Sequence, residues 1–330
     1  MPQPLLELRD LVTSFSTPRG VVRAADRVSL EVAEGATLGV VGESGSGKSV
    51  TFLSVMRLIG WPGRIESGSV LFAGRELLSL PARQLRALRG SQIAMVFQEP
   101  MTSLNPVYTV GQQLCEAIRQ HQRVSVADAR RRAIALLETV GIGAAAERVD
   151  AYPHQLSGGM RQRVMIAIAL SCGPRLLIAD EPTTALDVTI QSQILALLER
   201  LQAELNMSIV LITHDLGVVA SLAQEIVVMY AAKVVERAPA EELLARPLHP
   251  YTAGLLASVP GLGANRGKRR LPALAGRVPD LAQPPTGCRF RDRCPEAVAT
   301  CSAHEPELRS LPGRRHVACH VAWERARARP

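Results

Sequence analysis

Apolar and polar residues alternate along the first 35 residues of the chain, most clearly in residues 5–9 and 28–32. A repeat of two residues is typical of strands with one buried and one exposed face, so these segments predict an antiparallel sheet. Residues 37–41 form a short apolar run instead, which is typical of a strand buried in a parallel sheet. The chain is therefore expected to begin with an antiparallel β subdomain that leads into a buried strand.

Apolar runs return at residues 176–180 and 208–213, with an amphipathic helix pattern between them. The apolar positions of that helix are Ile190, Ile194, Leu197, Leu198 and Leu201. Helical patterns also occupy about residues 102–165. Strands that alternate with helices predict an α/β fold, here a mixed sheet flanked by helices with a helical subdomain inserted. Prolines become frequent after residue 239, so a small C-terminal extension is expected over residues 236–330.

A glycine-rich segment follows the buried strand and matches the phosphate-loop pattern, with Gly42, Gly47, Lys48 and Ser49 at its fixed positions. The glycines let successive backbone N–H groups converge on phosphate oxygens, and the helix that follows adds its positive end. We expect Lys48 to neutralise the β- and γ-phosphates and the Ser49 hydroxyl to bind Mg²⁺. Kinases, GTPases and ATPases all use such loops, so this segment alone leaves the reaction open.

Acidic and imidazole side chains follow the two later strands. Asp180 and Glu181 come at the end of the strand at 176–180, where Asp180 is expected to help to hold Mg²⁺ and Glu181 to polarise an attacking water. His214 follows the strand at 208–213 and is expected to face the nucleotide, because the carboxyl ends of parallel strands form the binding edge of α/β sheets. These residues indicate nucleotide hydrolysis.

A second anion site is predicted where Ser157, Gly158 and Gly159 open a helix. Residues 156–160 read Leu-Ser-Gly-Gly-Met and resemble the leucine-serine-glycine-glycine-glutamine signature of ATP-binding cassette (ABC) proteins, with Met160 in place of the glutamine. The resemblance covers about residues 5–255. It implies an ABC-type ATPase core in which Ser157, Gly158 and Gly159 close on the ATP of a second subunit.

The same resemblance implies roles for further residues. Gln98 matches the loop glutamine that reaches Mg²⁺ and the attacking water, within the segment that continues through Glu99, Pro100, Met101 and Thr102. Ala185, Leu186 and Asp187 match the loop that crosses the dimer interface, and His214 matches the switch histidine. The implied nucleotide-binding set is Phe15 (stacked on adenine), Gly42, Ser44, Gly45, Ser46, Gly47, Lys48, Ser49 and Val50. Mg²⁺ is implied at Ser49, Gln98 and Asp180.

Four segments are similar to the corresponding parts of the ATPase subunits of bacterial oligopeptide and dipeptide importers. They are residues 98–106, 249–252, 287–295 and 317–320. That similarity implies a second ATPase subunit (a paralogue, or a second copy of this chain), two membrane permeases and an external solute-binding protein. It implies a peripheral protein on the cytoplasmic face of the bacterial inner membrane. Peptide is the expected cargo, with nickel or another small solute as the alternative.

Two rival classes are less consistent with the sequence. A cassette ATPase of translation or DNA repair typically has two cassettes or a long coiled coil, and neither pattern occurs here. A phosphate-loop kinase leaves the segment at 157–159 unexplained.

The net charge of +8 is concentrated in the extension, since residues 262–330 hold 14 Lys and Arg against 6 Asp and Glu. Aromatic residues that would stack on bases are not interleaved with these charges, so nucleic acid is not expected as a partner. No apolar run reaches the ~18 residues that span a bilayer, and residues 1–10 do not form a signal peptide. We therefore expect a cytoplasmic protein whose membrane role comes through its partners.

Four of the six cysteines, Cys288, Cys294, Cys301 and Cys319, lie near the end of the chain. Disulfides are rare in the cytoplasm, so this group indicates a metal site. Four thiolates suit either zinc or a [4Fe–4S] cluster, and unligated thiols remain an alternative. The resemblance to peptide-importer ATPases favours the cluster.

Overall fold

The computed structural model describes residues 3–98, 103–184, 186–259 and 274–327. The predictions for Glu99, Pro100, Met101, Thr102 and Ala185 lie outside these residues. The chain divides into two compact units, the first formed by Met1–Leu78 with Ile212–Pro330 and the second by Ser79–Leu211.

The strands of the described residues are β1 (Leu6–Thr17), β2 (Gly20–Val32), β3 (Thr37–Val41), β4 (Gly63–Phe72), β5 (Arg75–Glu76), β6 (Ile93–Val96), β7 (Leu176–Asp180), β8 (Ser208–Thr213), β9 (Glu225–Tyr230), β10 (Lys233–Pro239), β11 (Arg309–Leu311) and β12 (Arg315–Val317). The helices are α1 (Lys48–Val55), α2 (Ala82–Leu88), α3 (Val110–His121), α4 (Val126–Thr139), α5 (Ala145–Arg148), α6 (Gly158–Leu170), α7 (Val188–Leu205), α8 (Leu216–Leu222), α9 (Ala240–Ala245), α10 (Pro250–Ala257), α11 (Ala299–Ala303) and α12 (His320–Arg327).

The first unit begins with the antiparallel sheet that the alternating pattern predicts. Strand β1 pairs antiparallel with β2 and with β4, and β4 pairs with β5. The apolar side chains of Leu6, Leu8 and Leu11 on β1 are fully buried. Burial of this apolar face is the main stabilising term for such a sheet.

A second group of strands in the first unit contains β3, whose five residues are all buried, as a parallel-sheet strand requires. Strand β3 runs parallel to β9, and β10 lies antiparallel to β9. The C-terminal extension adds to the same strand array, because β12 pairs with β10 and β11 pairs with β12. The extension is thus hydrogen-bonded to the strands of the predicted ATPase domain.

The second unit contains helices α2 to α7 and the parallel pair β6 and β7. Helices α3, α4, α6 and α7 begin after residues whose side chains accept a free N–H group of the first turn, as at Thr109 with a capping box and at Ser125. Helices α3 to α6 lie in or adjoin the stretch predicted to be helical. The α/β class with an antiparallel N-terminal sheet is confirmed, while the bounds of the ATPase domain (about residues 5–255) and of the extension (residues 236–330) stay predictions.

Aromatic side chains join the extension to the first unit. The rings of Tyr230 on β9, Tyr251 on α10 and Phe290 are in contact, with centroids 4.6 to 5.4 Å apart, and the tilted and edge-on geometries are favourable. A second cluster contains Val317 and Trp323, with the indole N–H donating to the carbonyl of Val317. The extension thus packs its aromatic rings against the rest of the first unit.

A fully buried carboxylate also links the extension to the strand array. Glu236 on β10 accepts the backbone N–H groups of Leu248 and His249 at 2.8 and 2.9 Å, and it lies 3.5 Å from the Arg315 guanidinium of β12. Burial raises the pKa of Glu236. Because both partner groups are desolvated, removal of the arginine would leave a buried charge without its counter-ion.

The imidazole of His249 caps α10. Its Nδ1 accepts the N–H of Tyr251 at 3.1 Å, and complete burial lowers the pKa of His249 from 6.5 to about 3. Below pH 6.5 the unfolded chain takes up a proton at this ring, whereas the folded chain does not. The free energy of unfolding therefore falls as the pH falls, by roughly 1.4 kcal/mol per pH unit from this group.

We predict that His249→Asn reduces the acid sensitivity of the fold. Asparagine keeps a cap acceptor but does not titrate. Between pH 6.5 and pH 5 the variant should lose about 2 kcal/mol less unfolding free energy than the unsubstituted chain, as measured by urea denaturation. Both proteins contain Glu236, so its contribution to the pH dependence of the unfolding free energy cancels in the comparison. An identical loss in both would show that His249 is not buried as a neutral ring.

Candidate functional site

The predicted phosphate loop leaves buried strand β3 and enters helix α1 at Lys48. Gly47 precedes the helix with φ +96°, in the left-handed region that side chains rarely adopt. A Cβ atom at Gly47 would lie 2.1 Å from the carbonyl oxygen of Ala24, so the backbone passes too close for any side chain. Gly45 also has a positive φ of +77°, but a Cβ atom there would meet nothing within 4 Å.

The side chain of Lys48 folds back inside the loop. Its Nζ donates to the carbonyl oxygen of Gly42 at 2.7 Å and to that of Glu43 at 3.1 Å, and Ser46 Oγ lies 3.4 Å away. The loop itself is tied to the first unit because the N–H of Ala232 donates to the carbonyl of Ser46 at 3.0 Å. A buried ammonium at the N-terminus of a helix is an arrangement that binds anions.

The roles predicted for the remaining nucleotide residues of the first unit stay predictions. Ser44 is exposed in the loop, and Ser49 and Val50 are half-buried in the first turn of α1. Phe15 lies half-buried on β1, where its ring packs so closely that a Cβ atom at Gly63 would be 2.5 Å from Cε1. His214 is exposed at the end of β8, beside Asp215, whose carboxylate caps α8 through the N–H of Gly217.

In the second unit the structure brings Gln98 and Glu181 together. The carboxylate of Glu181 accepts Gln98 Nε2 at 3.1 Å and the hydroxyl of Thr184 at 2.8 Å on the same oxygen. Glu181 has φ +47°, an unusual backbone conformation for a residue with a side chain, and it directly follows the buried Asp180. Sequence reasoning missed Thr184, although its position three residues after Glu181, in a turn, could have indicated it.

The signature segment forms the start of α6. Ser157 is exposed, and its hydroxyl accepts the N–H of Met160 at 3.3 Å as an N-cap. A Cβ atom at Gly159 would lie 2.8 Å from Ile190, whereas one at Gly158 would make an ordinary contact with Leu186. Gly159 thus permits close packing against α7, and the N-terminus of α6 stays accessible to an anion.

Asp187 has a local role that the resemblance did not imply. Its carboxylate accepts the N–H of Ile190 at 2.9 Å and caps α7. The residue is exposed, so the cap leaves one face of the carboxylate open to a second subunit. Its function at a dimer interface remains a prediction.

The phosphate loop also contacts the extension, through residues that sequence reasoning did not select. Arg293 donates from Nη1 and Nη2 to the two carboxylate oxygens of Glu43, at 2.7 and 2.9 Å. The N–H of Glu43 donates to the hydroxyl of Tyr251 at 2.9 Å. The hydrogen bond to Glu43 raises the pKa of Arg293, and the guanidinium is positive at any physiological pH. Glu43 occupies a position at which the phosphate-loop pattern allows any residue, so the pattern could not indicate its contacts with Arg293 and Tyr251.

The four cysteines of the extension are free thiols that influence one another. Burial raises the pKa of Cys288 to about 11, with smaller contributions from the charges of Cys301, Cys319 and Cys294. Cys288 and Cys301 are also joined by a backbone hydrogen bond of 2.7 Å. Within the described residues, however, no group of three or more His, Cys, Asp or Glu side chains is arranged to hold a metal ion. The prediction of a [4Fe–4S] cluster or zinc is therefore not supported by this geometry.

None of the helices that the structure describes is both long and apolar enough to cross a membrane.

Comparisons with known proteins agree with these features. Residues 25–184 match the family described as ABC transporter, and residues 235–301 match the oligopeptide/dipeptide transporter C-terminal region. The chain is 50% identical to a probable peptide ABC transporter ATP-binding protein, y4tR, of Sinorhizobium fredii, covering 96% of this chain and 94% of that protein. It is 51% identical to the dipeptide transport ATP-binding protein DppD of Escherichia coli, covering 98% of each.

Solved structures of ATP-binding cassettes are also similar. The dimeric cassette MJ0796 in a post-hydrolysis state with ADP and Pi superposes with a TM-score of 0.65 at 27% identity, covering 71% of this chain and 98% of that chain. The cbiO1 protein of Clostridium perfringens, part of an ABC transporter complex, gives a TM-score of 0.61 at 27% identity, covering 73% and 90%.

We predict that Gly47→Ala strongly weakens ATP binding. The new Cβ atom would clash with the backbone of Ala24, and relief of that clash would displace the loop that presents Lys48. Gly45→Ala is the matched control, since it adds the same atom to the same loop in open space, at a strain cost of about 1 kcal/mol. Titration with a fluorescent ATP analogue should show a loss of at least about tenfold for Gly47→Ala and a much smaller one for Gly45→Ala. Equal effects would refute the steric argument.

Proposed function

This chain belongs to the ATP-binding subunits of ABC transporters of the oligopeptide/dipeptide type, and we propose that it powers the import of peptides across a cell membrane. It is an ATPase, as the members of that family are. The observation that supports the peptide assignment most strongly is the match to two peptide transport proteins over at least 96% of the chain, with the C-terminal extension included.

We propose that the first unit binds the triphosphate. The loop N–H groups and the buried ammonium of Lys48 would face the β- and γ-phosphates, whose charge they neutralise. Phe15 would stack on the adenine, and Ser44, Gly45, Ser46 and Val50 would line the nucleotide. The proposal is supported by the closeness of the Lys48 ammonium to the loop carbonyls, because that position leaves it inside the concavity of the loop.

The residues assigned to Mg²⁺ fit the ion chemically. The hydroxyl of Ser49, the amide oxygen of Gln98 and the carboxylate of Asp180 are hard oxygen donors, which Mg²⁺ prefers. When bound, the ion would neutralise charge that develops on the phosphate oxygens during hydrolysis.

We propose that Glu181 orients the attacking water. One oxygen of its carboxylate accepts hydrogen bonds from Gln98 Nε2 and from the hydroxyl of Thr184, which fix the orientation of the side chain. A carboxylate fixed in this way can accept a proton from a water molecule that attacks the γ-phosphorus opposite the leaving ADP. His214 would sense the γ-phosphate.

A second ATPase subunit completes the proposed machine. Ser157, Gly158 and Gly159 would bind the γ-phosphate held by the partner, and Asp187 would lie at the interface. The accessible N-terminus of α6 supports this, as does the similarity to a cassette solved as a dimer with ADP and Pi. The partner is proposed to be a paralogue, with a second copy of this chain as the alternative.

The wider assembly follows from the family. ATP-binding subunits of ABC transporters act with membrane permeases, and we propose two permeases and an external solute-binding protein for this chain. The subunit would lie peripherally on the cytoplasmic face of the inner membrane. Hydrolysis would open the dimer, and the permeases would then change the side to which they are open.

We propose separately that the extension binds a [4Fe–4S] cluster or, as the alternative, zinc. The thiols of Cys288, Cys294, Cys301 and Cys319 are donors that suit iron or zinc, and a backbone hydrogen bond of 2.7 Å joins Cys288 to Cys301. Anaerobically purified protein would then contain about four iron atoms per chain or about one zinc atom, lost on Cys294→Ser. Protein that is colourless and free of both metals would refute the proposal.

We predict that Glu181→Gln abolishes ATP turnover and preserves ATP binding. Glutamine keeps the shape and a hydrogen-bond acceptor but cannot take a proton, so phosphate release should fall by about 100-fold or more. The variant should accumulate as an ATP-bound dimer in size-exclusion chromatography. Glu199→Gln on the exposed face of α7 is the matched control and should keep full turnover. Undiminished hydrolysis in Glu181→Gln would exclude its proposed role.

Cargo is tested in cells that lack the gene. Uptake of a labelled dipeptide should be lost and then restored by the chain but not by its Lys48→Ala variant. Loss of nickel uptake with normal dipeptide uptake would instead assign nickel as the cargo.

A further inference from the structure

The C-terminal extension contacts the carboxylate of the phosphate loop through the side chain of Arg293. Arg293 ends a short 3-10 turn at Arg291–Arg293, and both of its terminal nitrogens bind the carboxylate of Glu43, within the loop. The arginine side chain is 5% exposed and the glutamate side chain 28%. A two-point contact between a planar guanidinium and a carboxylate fixes distance and orientation together.

Every nitrogen of this guanidinium has a partner. Nε donates to the carbonyl of Ala275 at 2.9 Å, and Nη1 also lies 3.4 Å from the hydroxyl of Tyr230. The guanidinium carbon stands 5.7 Å from the ring centre of Tyr230 and 5.9 Å from that of Phe290. These contacts restrict the side chain of Arg293 to one conformation, so the guanidinium is fixed in position against the carboxylate of Glu43.

Glu43 connects this contact to the ammonium that faces the phosphates. Its backbone carbonyl accepts Lys48 Nζ, its N–H donates to Tyr251, and its side chain binds Arg293. Its negative charge also lies on a loop that must receive a triphosphate of the same sign. A paired arginine offsets that charge, whereas an unpaired carboxylate would repel ATP.

We propose that Arg293 is a positioning residue for ATP binding, which holds the phosphate loop through Glu43 and neutralises the carboxylate. This inference rests on the proposed ATPase function and deepens it. The extension becomes part of the nucleotide site, so a change in the turn between Cys288 and Cys294 alters the affinity for ATP. Neither Arg293 nor Glu43 needs to touch the reacting atoms.

The test compares Arg293→Gln, Arg293→Lys and the double variant Glu43→Gln/Arg293→Gln in the full chain. We expect Arg293→Gln to raise the KM for ATP about tenfold, with kcat changed less than about threefold, because binding is weakened by the unpaired carboxylate. Arg293→Lys keeps the charge and should recover part of the loss. The double variant should bind ATP more tightly than Arg293→Gln, because it removes the repelling carboxylate as well.

Arg315→Gln is the matched control. Arg315 is a similarly buried arginine of the extension, 8% exposed, but its ion-pair partners are Glu236 and Glu242, neither of which belongs to the loop. This variant should lower the melting temperature without a change in the KM for ATP. If Arg293 had a merely structural role, Arg293→Gln and Arg315→Gln would change the melting temperature and the KM for ATP in the same way.

Three results would overturn the proposal: an unchanged KM in Arg293→Gln, an equal rise in Arg315→Gln, or a double variant weaker than the single one. If Arg293→Gln fails to fold, the KM for ATP of Arg293→Lys and of the double variant, each compared with that of the unsubstituted chain, tests the proposal instead. Failure of the proposed function itself is distinguishable, because the unsubstituted chain would then neither bind nor hydrolyse ATP.

Discussion

The position of one ammonium group determines what this protein can do. Lys48 opens a helix directly after a tight loop, and its side chain is held by the carbonyl oxygens of Gly42 and Glu43. The close approach of the backbone at Gly47 to Ala24 fixes the turn that makes this possible. Strand β3 anchors the loop because its five residues are all buried and four of them pair with β9. A cation placed in this way, with the positive end of a helix beside it, favours a polyphosphate.

The C-terminal extension contributes to the same site. It adds β11 and β12 to the strands beside β10, it packs Phe290 against Tyr230 and Tyr251, and it places Arg293 on the loop. Its stability thus comes from the body of the first unit rather than from a core of its own. That packing explains how a segment with few apolar residues keeps a defined structure within the described residues, where no metal-ligand arrangement is formed.

Local features could be predicted from the sequence, and distant contacts could not. The alternating residues of β1 and β2, the apolar β3 and the glycines of the loop are local patterns with one physical interpretation each. The Glu43–Arg293 pair joins residues 250 positions apart, and no periodicity indicates it. Strands β11 and β12 have three residues each, which is too short for alternation to be recognised. Cysteine spacing suggested a metal site but could not give the arrangement of the thiols, which depends on how the turns around them pack.

The most direct test of the central claim is the rate of phosphate release from ATP by the purified chain, compared with that of Lys48→Ala. The alanine variant lacks the ammonium that the loop is built to present, but it leaves the glycine backbone in place. We expect Mg²⁺-dependent release by the unsubstituted chain and a rate at least about 100-fold lower in the variant. Equal rates in the two proteins would contradict the assignment of this loop as the site of ATP hydrolysis.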